Sequence, residues 1–130
     1  MHRSRVGIVL IDHPEDRYEA NLAFWAAAAG RDVDRGAGNA EYASLGVIGT
    51  LHLEVQRTGI GTPPRLHLDI ETDDIEAEVA RLVGLGATVD RRPEGFVVMR
   101  DPGGIVFCVV GVQTGDLFAG DATTWPDLIG

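Results

Sequence analysis

The chain has 130 residues, 45% of them hydrophobic and 24% charged, which suits one globular domain and excludes two ordinary ones or a disordered polymer. Its net charge of −9 repels a phosphate backbone. With Arg91-Arg92 as the only adjacent basic pair and aromatics at 6%, neither a nucleic-acid groove nor a base-stacking platform is expected. No apolar run reaches the roughly 18 residues that a membrane span needs, and the single cysteine, Cys108, cannot form an internal disulfide, so a cytoplasmic protein is expected.

Taken in chain order, the predicted elements repeat. RVGIVLID (5–12) reads as a first strand, because its apolar run is broken too soon by Asp12 and His13 for a signal peptide. Asp12 with Glu15 around Pro14 has the form of a helix start. Tyr18, Leu22, Trp25 and Ala29 then predict a helical stripe that places Trp25 in the core, and Gly30 a left-handed stop. GRDVD (30–34), AEYASLGV (40–47) and TLHLEVQR (50–57) follow as short strands. RTGIGTPPR (57–65), rich in Gly and Pro, reads as the join.

The second copy opens with RLHLDIETDD (65–74). Leu66, Leu68 and Ile70 fall on one face of a strand, and His67, Asp69 and Glu71 on the other. A strand burying one face needs only the apolar set, so a role is sought for His67. Asp73 with Glu76 forms a capping box; Ile75, Val79 and Leu82 make the helical stripe, and Gly86 the stop. GATVD (86–90), EGFVVMRD (94–101) and IVFCVVGV (105–112) are strands, the last two around a tight Pro-Gly-Gly turn. The order in each copy is strand, helix, strand, strand, strand. Module one spans about 4–57, the linker 58–64, module two about 65–112 and an aperiodic tail 113–130, in which Phe118, Trp125 and Leu128 are available to pin it to the body or to a partner. The fold class is α+β: two βαβββ modules forming a curved mixed sheet around a central trough, where polar residues become candidates for chemistry.

HLDIETDDIEAEVARLVGLGA (67–87), VVMRDPGGIVFCVV (97–110) and LAFWAAAAG (22–30) resemble the vicinal oxygen chelate superfamily, the glyoxalase/bleomycin-resistance/dioxygenase fold, and within it the glyoxalase-like domain proteins. The resemblance implies a divalent ion (zinc, nickel, manganese or iron) held by residues of the first and last strands of each copy, and Lewis-acid chemistry on adjacent substrate oxygens. His67 matches the first-strand ligand of copy two, and Arg5, equally spaced before its acid, the same place in copy one; a guanidinium has no lone pair to give. Cys108 occupies the last-strand place of copy two, as a zinc-binding thiolate or as a small hydrophobe. In copy one His52 and Glu54 are the candidates, with Leu53 if the strand is counted strictly from its glycine. The metal set is therefore at most His67 and Glu54, joined by His52 or Cys108.

The other candidates are Glu54 as a general base raised by a dry trough, His52 and His67 as ligand-binding groups, Tyr42 and Phe96 as surfaces for a flat molecule, and Arg5 and Arg100 as forks for an anionic group. Asp12, Asp73 and Asp74 read as helix caps. The incomplete metal set favours a protein that binds or sequesters a small organic molecule; the alternative is a metal-dependent lyase, isomerase or dioxygenase-type enzyme. A partner-binding domain using Trp125 in an exposed tail is a further reading. A homodimer is implied by the resemblance alone.

Overall fold

The computed structural model describes residues 1–36 and 41–127. Its elements are β1 (His2–Pro14), α1 (Glu15–Ala29), β2 (Tyr42–Ile48), β3 (Leu51–Thr58), β4 (Arg65–Thr72), α2 (Ile75–Gly84), β5 (Thr88–Arg91), β6 (Phe96–Arg100), β7 (Val106–Gly111), α3 (Asp116–Asp121) and β8 (Thr123–Trp125). The chain is α+β, and it divides into two compact units, residues 8–67 and residues 1–7 with 68–130. Among the described residues no helix is long and apolar enough to cross a membrane.

In the 8–67 unit β3 lies between β1, to which it is parallel, and β2, to which it is antiparallel. One sheet face carries Ile11, Ala43, Leu45, Leu53 and Val55, and α1 packs on it through Tyr18, Leu22 and Ala26. That i, i+4, i+8 stripe corrects the expected one: Trp25 is 37% exposed and packs edge-to-face on Phe24. The small Ala26 lets helix and sheet approach where an indole would hold them apart. The start of α1 is also corrected. β1 runs on to Pro14, which stands at the N-cap without a side-chain hydrogen bond, so Asp12 is a strand residue and caps nothing. Gly30 closes the helix in the left-handed region as expected. GRDVD is reduced to a single bridge, Asp34 to Ser44, and Ala40 lies outside the described residues.

In the second unit β7 is parallel to β4 and antiparallel to β6, which pairs with β5. Ile70, Val97, Met99, Phe107 and Val109 pack against Ile75, Val79 and Leu82 of α2. Asp74, rather than Asp73, caps α2 by accepting the Ala77 N–H at 3.1 Å; Asp73 accepts the Arg3 N–H at 2.8 Å. The alternation of β4 is present but its burial is opposite to the expected one. Leu66 and Leu68 are 63% and 42% exposed, while His67, Asp69 and Glu71 are buried. The apolar stripe of α2 reaches only Ile70, and on the polar face Glu71 is buried among hydrogen bonds from Arg5, Gln113 and Thr114.

The tail has more structure than its lack of period suggests. α3 and β8 fold back on the amino-terminal strand, with His2 opposite Trp125 and Ser4 opposite Thr123. Arg3 donates to the carbonyls of Ala119 and Ala122 at 2.8 and 3.2 Å, and Phe118 is buried. Trp125 donates to Ser4 Oγ at 2.9 Å and lies under the Arg81 guanidinium at 3.9 Å. It is thus engaged within its own unit. Leu128 lies outside the described residues.

Candidate functional site

Strand alternation sends every second side chain of β2 and β3 away from α1. Because Tyr42 is opposite Gln56 and Ser44 opposite Glu54, these four and His52 share one face with Leu10 and Asp12 of β1, whose partners are Glu54 and Gln56. The face is a half-buried polar row. Gln56 Nε2 donates to the Tyr42 hydroxyl at 3.0 Å. Ser44 Oγ is 2.6 Å from His52 Nε2 and accepts the Gly46 N–H at 3.0 Å. Glu54 Oε1 is 3.8 Å from His52 Nδ1. A bulge between Ser44 and Val47, with Gly46 at φ +84°, turns the chain so that the Gly46 N–H reaches back to the hydroxyl. The sequence puts His52 and Glu54 on one polar face of β3; the pairing with β2 adds Tyr42 and Ser44 to it.

His67, from the start of β4, joins Asp12. Its Nδ1 is 2.7 Å from Asp12 Oδ2, which also accepts from Arg65 Nε at 3.2 Å. The Asp12 side chain is fully buried. An ionised carboxylate only accepts, so this contact calls for a proton on His67 Nδ1. Among the described residues the buried Asp12 Oδ1 has no hydrogen-bond partner, an arrangement that costs about 1–3 kcal/mol unless a ligand or water satisfies it.

In the second unit Arg5 is buried and donates from Nε to Glu71 Oε2 at 2.8 Å, with further bonds to Asp121 and Thr114 at 3.2 Å. Glu71 also accepts the Gln113 and Thr114 N–H groups at 2.8 and 3.0 Å and the Thr114 hydroxyl at 2.6 Å. Burial pushes the Glu71 carboxyl up, but the bonds from Thr114, Gln113 and Arg5 outweigh it and hold the group below the ordinary glutamate value. Arg5 therefore stands in an internal ion pair that ties the tail to β4. Arg100 is on the surface, reaching Asp90 Oδ1 at 3.4 Å and the Gly104 carbonyl at 3.1 Å. Phe96 and Cys108, both half-buried, project from β6 and β7 on the face away from α2, where Cys108 is opposite Asp69.

The ligand set implied by the resemblance is altered. Arg5 cannot ligate, and His52 and Glu54 belong to the Ser44 row. On β4 and β7, however, Asp69 stands opposite Cys108 on the face away from α2, a carboxylate and a thiol of the kinds a zinc-type ion takes. Asp69 is not among the candidates expected from the sequence; its place one strand away from Cys108 in register emerges only from the pairing.

The glyoxalase-like domain family model matches residues 9–110. No curated protein matches the chain. Three solved structures are similar to it in fold. One, described as an NAD-dependent benzaldehyde dehydrogenase from Legionella pneumophila, is 9% identical with a TM-score of 0.62, covering 82% of this chain and 98% of that one. Methylmalonyl-CoA epimerase of Streptomyces coelicolor, in complex with 2-nitronate-propionyl-CoA, is 18% identical with a TM-score of 0.58, covering 82% and 96%. The hypothetical protein BH1468 of Bacillus halodurans is 12% identical with a TM-score of 0.61, covering 85% and 95%. The family match over most of the chain makes the protein a member of the glyoxalase-like domain family, within the vicinal oxygen chelate superfamily.

Proposed function

We propose that this protein binds a small organic molecule on the polar face of the 8–67 unit. The observation that carries the reading is the row Tyr42, Ser44, His52, Glu54 and Gln56 on the sheet face opposite α1. The hydrogen bonds within the row offset the cost of half-burying these polar groups and hold them in fixed orientations, as in a site that reads a ligand's oxygens and ring faces. Tyr42 offers a flat surface, His52 and Gln56 offer polar contacts, and Glu54 is placed to accept a proton. The net charge of −9 favours a compact ligand of low negative charge over a polyanion.

A thermal-shift series with aromatic alcohols, aromatic acids and small oxo-acids tests this. A ligand at 100 times its Kd stabilises the folded state by about 2.7 kcal/mol, and His52→Ala and Tyr42→Ala should abolish that gain. A chain whose melting responds to none of these compounds contradicts the reading. A homodimer accompanies the proposal, as the superfamily suggests, and a sizing measurement decides it.

A second reading rests on Asp69 and Cys108, paired across β4 and β7: a metal-dependent lyase, isomerase or dioxygenase-type enzyme. A divalent ion held there would supply Lewis-acid polarisation of neighbouring substrate oxygens. Stoichiometric zinc in untagged protein, lost in Cys108→Ser, would support it; metal-free protein that takes up no added zinc would count against it.

A further inference from the structure

We infer that Ser44 is an activated nucleophile, with His52 as its base and Glu54 as the residue that positions the base, and that the 8–67 unit supports acyl transfer from small esters to water. This goes beyond ligand binding and rests on a different observation, the close approach of Ser44 Oγ to His52 Nε2 with Glu54 beside the other ring nitrogen.

Ser44 Oγ has one proton and two lone pairs. One lone pair accepts the Gly46 N–H at 3.0 Å, and the hydroxyl stands 2.6 Å from His52 Nε2. In the tautomer with its proton on Nδ1 the imidazole lone pair is on Nε2 and takes the hydroxyl proton. Glu54 Oε1, 3.8 Å from Nδ1, favours this tautomer and would stabilise the imidazolium that forms when His52 takes a proton. Hydroxyl, imidazole and carboxylate thus stand in the order a nucleophile, base and orienting acid need. The alternation of β3 puts His52 and Glu54 on one face, and the antiparallel register sets Ser44 opposite Glu54. The side chains of His52 and Glu54 are 26% and 19% exposed, so the group is sheltered but within reach of a small electrophile.

The reaction is balanced by these residues and water. Ser44 Oγ bonds to the ester carbonyl carbon as its proton passes to His52 Nε2. The carbon–oxygen bond to the leaving alcohol then breaks, and that oxygen takes the proton from His52, leaving an acyl ester on Ser44. Water attacks the acyl carbon, giving one proton to His52. The bond to Ser44 breaks, Ser44 Oγ recovers that proton, and a carboxylic acid departs.

Two probes test the inference on the full chain. An alkyl fluorophosphonate should give a single phosphonyl adduct, placed on Ser44 by peptide mass spectrometry of the wild-type protein. p-Nitrophenyl acetate should release p-nitrophenol with an initial burst of one equivalent, and acetyl-Ser44 should be detectable. Ser44→Ala should lose adduct and burst, and His52→Ala should slow both by about 10²-fold or more, each with an unchanged far-ultraviolet dichroism spectrum. Glu54→Gln should lower the labelling rate at saturating probe while leaving the half-saturating probe concentration in place, and Glu54→Asp should restore part of the rate; a purely structural role would show neither the split nor the rescue. An unlabelled wild-type chain, an adduct on another residue, or a burst that survives in Ser44→Ala would overturn the proposal. Because mapping is done on the wild-type chain, a variant that fails to fold does not remove the test. Labelling without any thermal shift from the ligand panel would leave this inference standing and count against the binding reading.

Discussion

Replacing Glu71 by alanine should be the most damaging single change in the residues 1–7 and 68–130 unit. Its side chain is fully buried and it accepts from Arg5 Nε, the Thr114 hydroxyl and the backbone amides of Gln113 and Thr114. Removing the carboxylate takes from a guanidinium whose side chain is only 3% exposed its fully buried partner, and it strips two amides of their acceptor. Breaking a buried pair in this way costs about 3–5 kcal/mol, against a total stability of about 5–15 kcal/mol for a domain. At roughly 3–5 °C per kcal/mol for a chain of this size, the melting temperature should fall by roughly 10–20 °C. Urea titration at pH 7 followed by tryptophan fluorescence measures the loss, and limited proteolysis should show new cleavage in residues 113–121, which the carboxylate tethers. A loss below about 1 kcal/mol, with the tail still protected, would refute the claim that this pair is the tail's main anchor.

Other outcomes follow from the same contacts. Glu71 and Glu78 are both held below the ordinary value of 4.5: burial raises each, but bonds from Thr114, Gln113 and Arg5 to Glu71, and from Arg81, His2 and Ser4 to Glu78, outweigh it. A carboxyl with a depressed folded value contributes stability that is full above its unfolded value and is lost as pH falls through the folded one. The wild-type urea midpoint should therefore drop steadily below pH 4.5, and the drop should be shallower in Glu78→Gln. Gly7→Ala should destabilise by about 1–3 kcal/mol, because a Cβ there would meet the Glu71 carboxylate and Arg5 Nε; a neutral result in chemical denaturation would contradict that packing. Asp74→Ala removes the α2 cap and should cost about 1 kcal/mol, whereas Asp12→Ala, which caps nothing, should leave α1 intact by hydrogen exchange. Trp25→Ala should cost less than Leu22→Ala, for which about 2–5 kcal/mol is expected, since Trp25 is partly exposed and Leu22 is buried.

The residues that the sequence places well are those whose patterns depend on one element alone. Ile75, Val79 and Leu82 lie on one side of α2 because helical spacing puts them there, and Gly30 takes a left-handed conformation because the chain must turn. Asp12 shows the limit. Three residues ahead of Glu15 it has the form of a cap, but strand pairing with β3 extends β1 through Pro14 and redirects the carboxylate to His67. The same limit governs β4, where the period identifies two faces but tertiary partners decide which is buried. Arg5 and Glu71 are 66 residues apart in the chain, and nothing local to either announces the pair. Trp25 fits the helical period as well as Ala26 does, and the close approach of α1 to the sheet selects the smaller residue. At the candidate site His52 and Glu54 are legible as one polar face of an alternating strand, whereas Tyr42 joins them only through the β2–β3 register. Ser44 acquires its role only through the bulge at Gly46, which a period of two does not reveal.

The central claim is that the polar face of residues 8–67 is where a ligand is held. Amide and imidazole chemical shifts of isotopically labelled protein, recorded during titration with an aromatic acid or small oxo-acid that raises the melting temperature, test it most directly. The account predicts saturable shifts concentrated at Tyr42, Ser44, His52, Glu54 and Gln56. Shifts concentrated instead on α2 and the α2-facing side of β6 and β7, with those five residues unmoved at saturation, would contradict it.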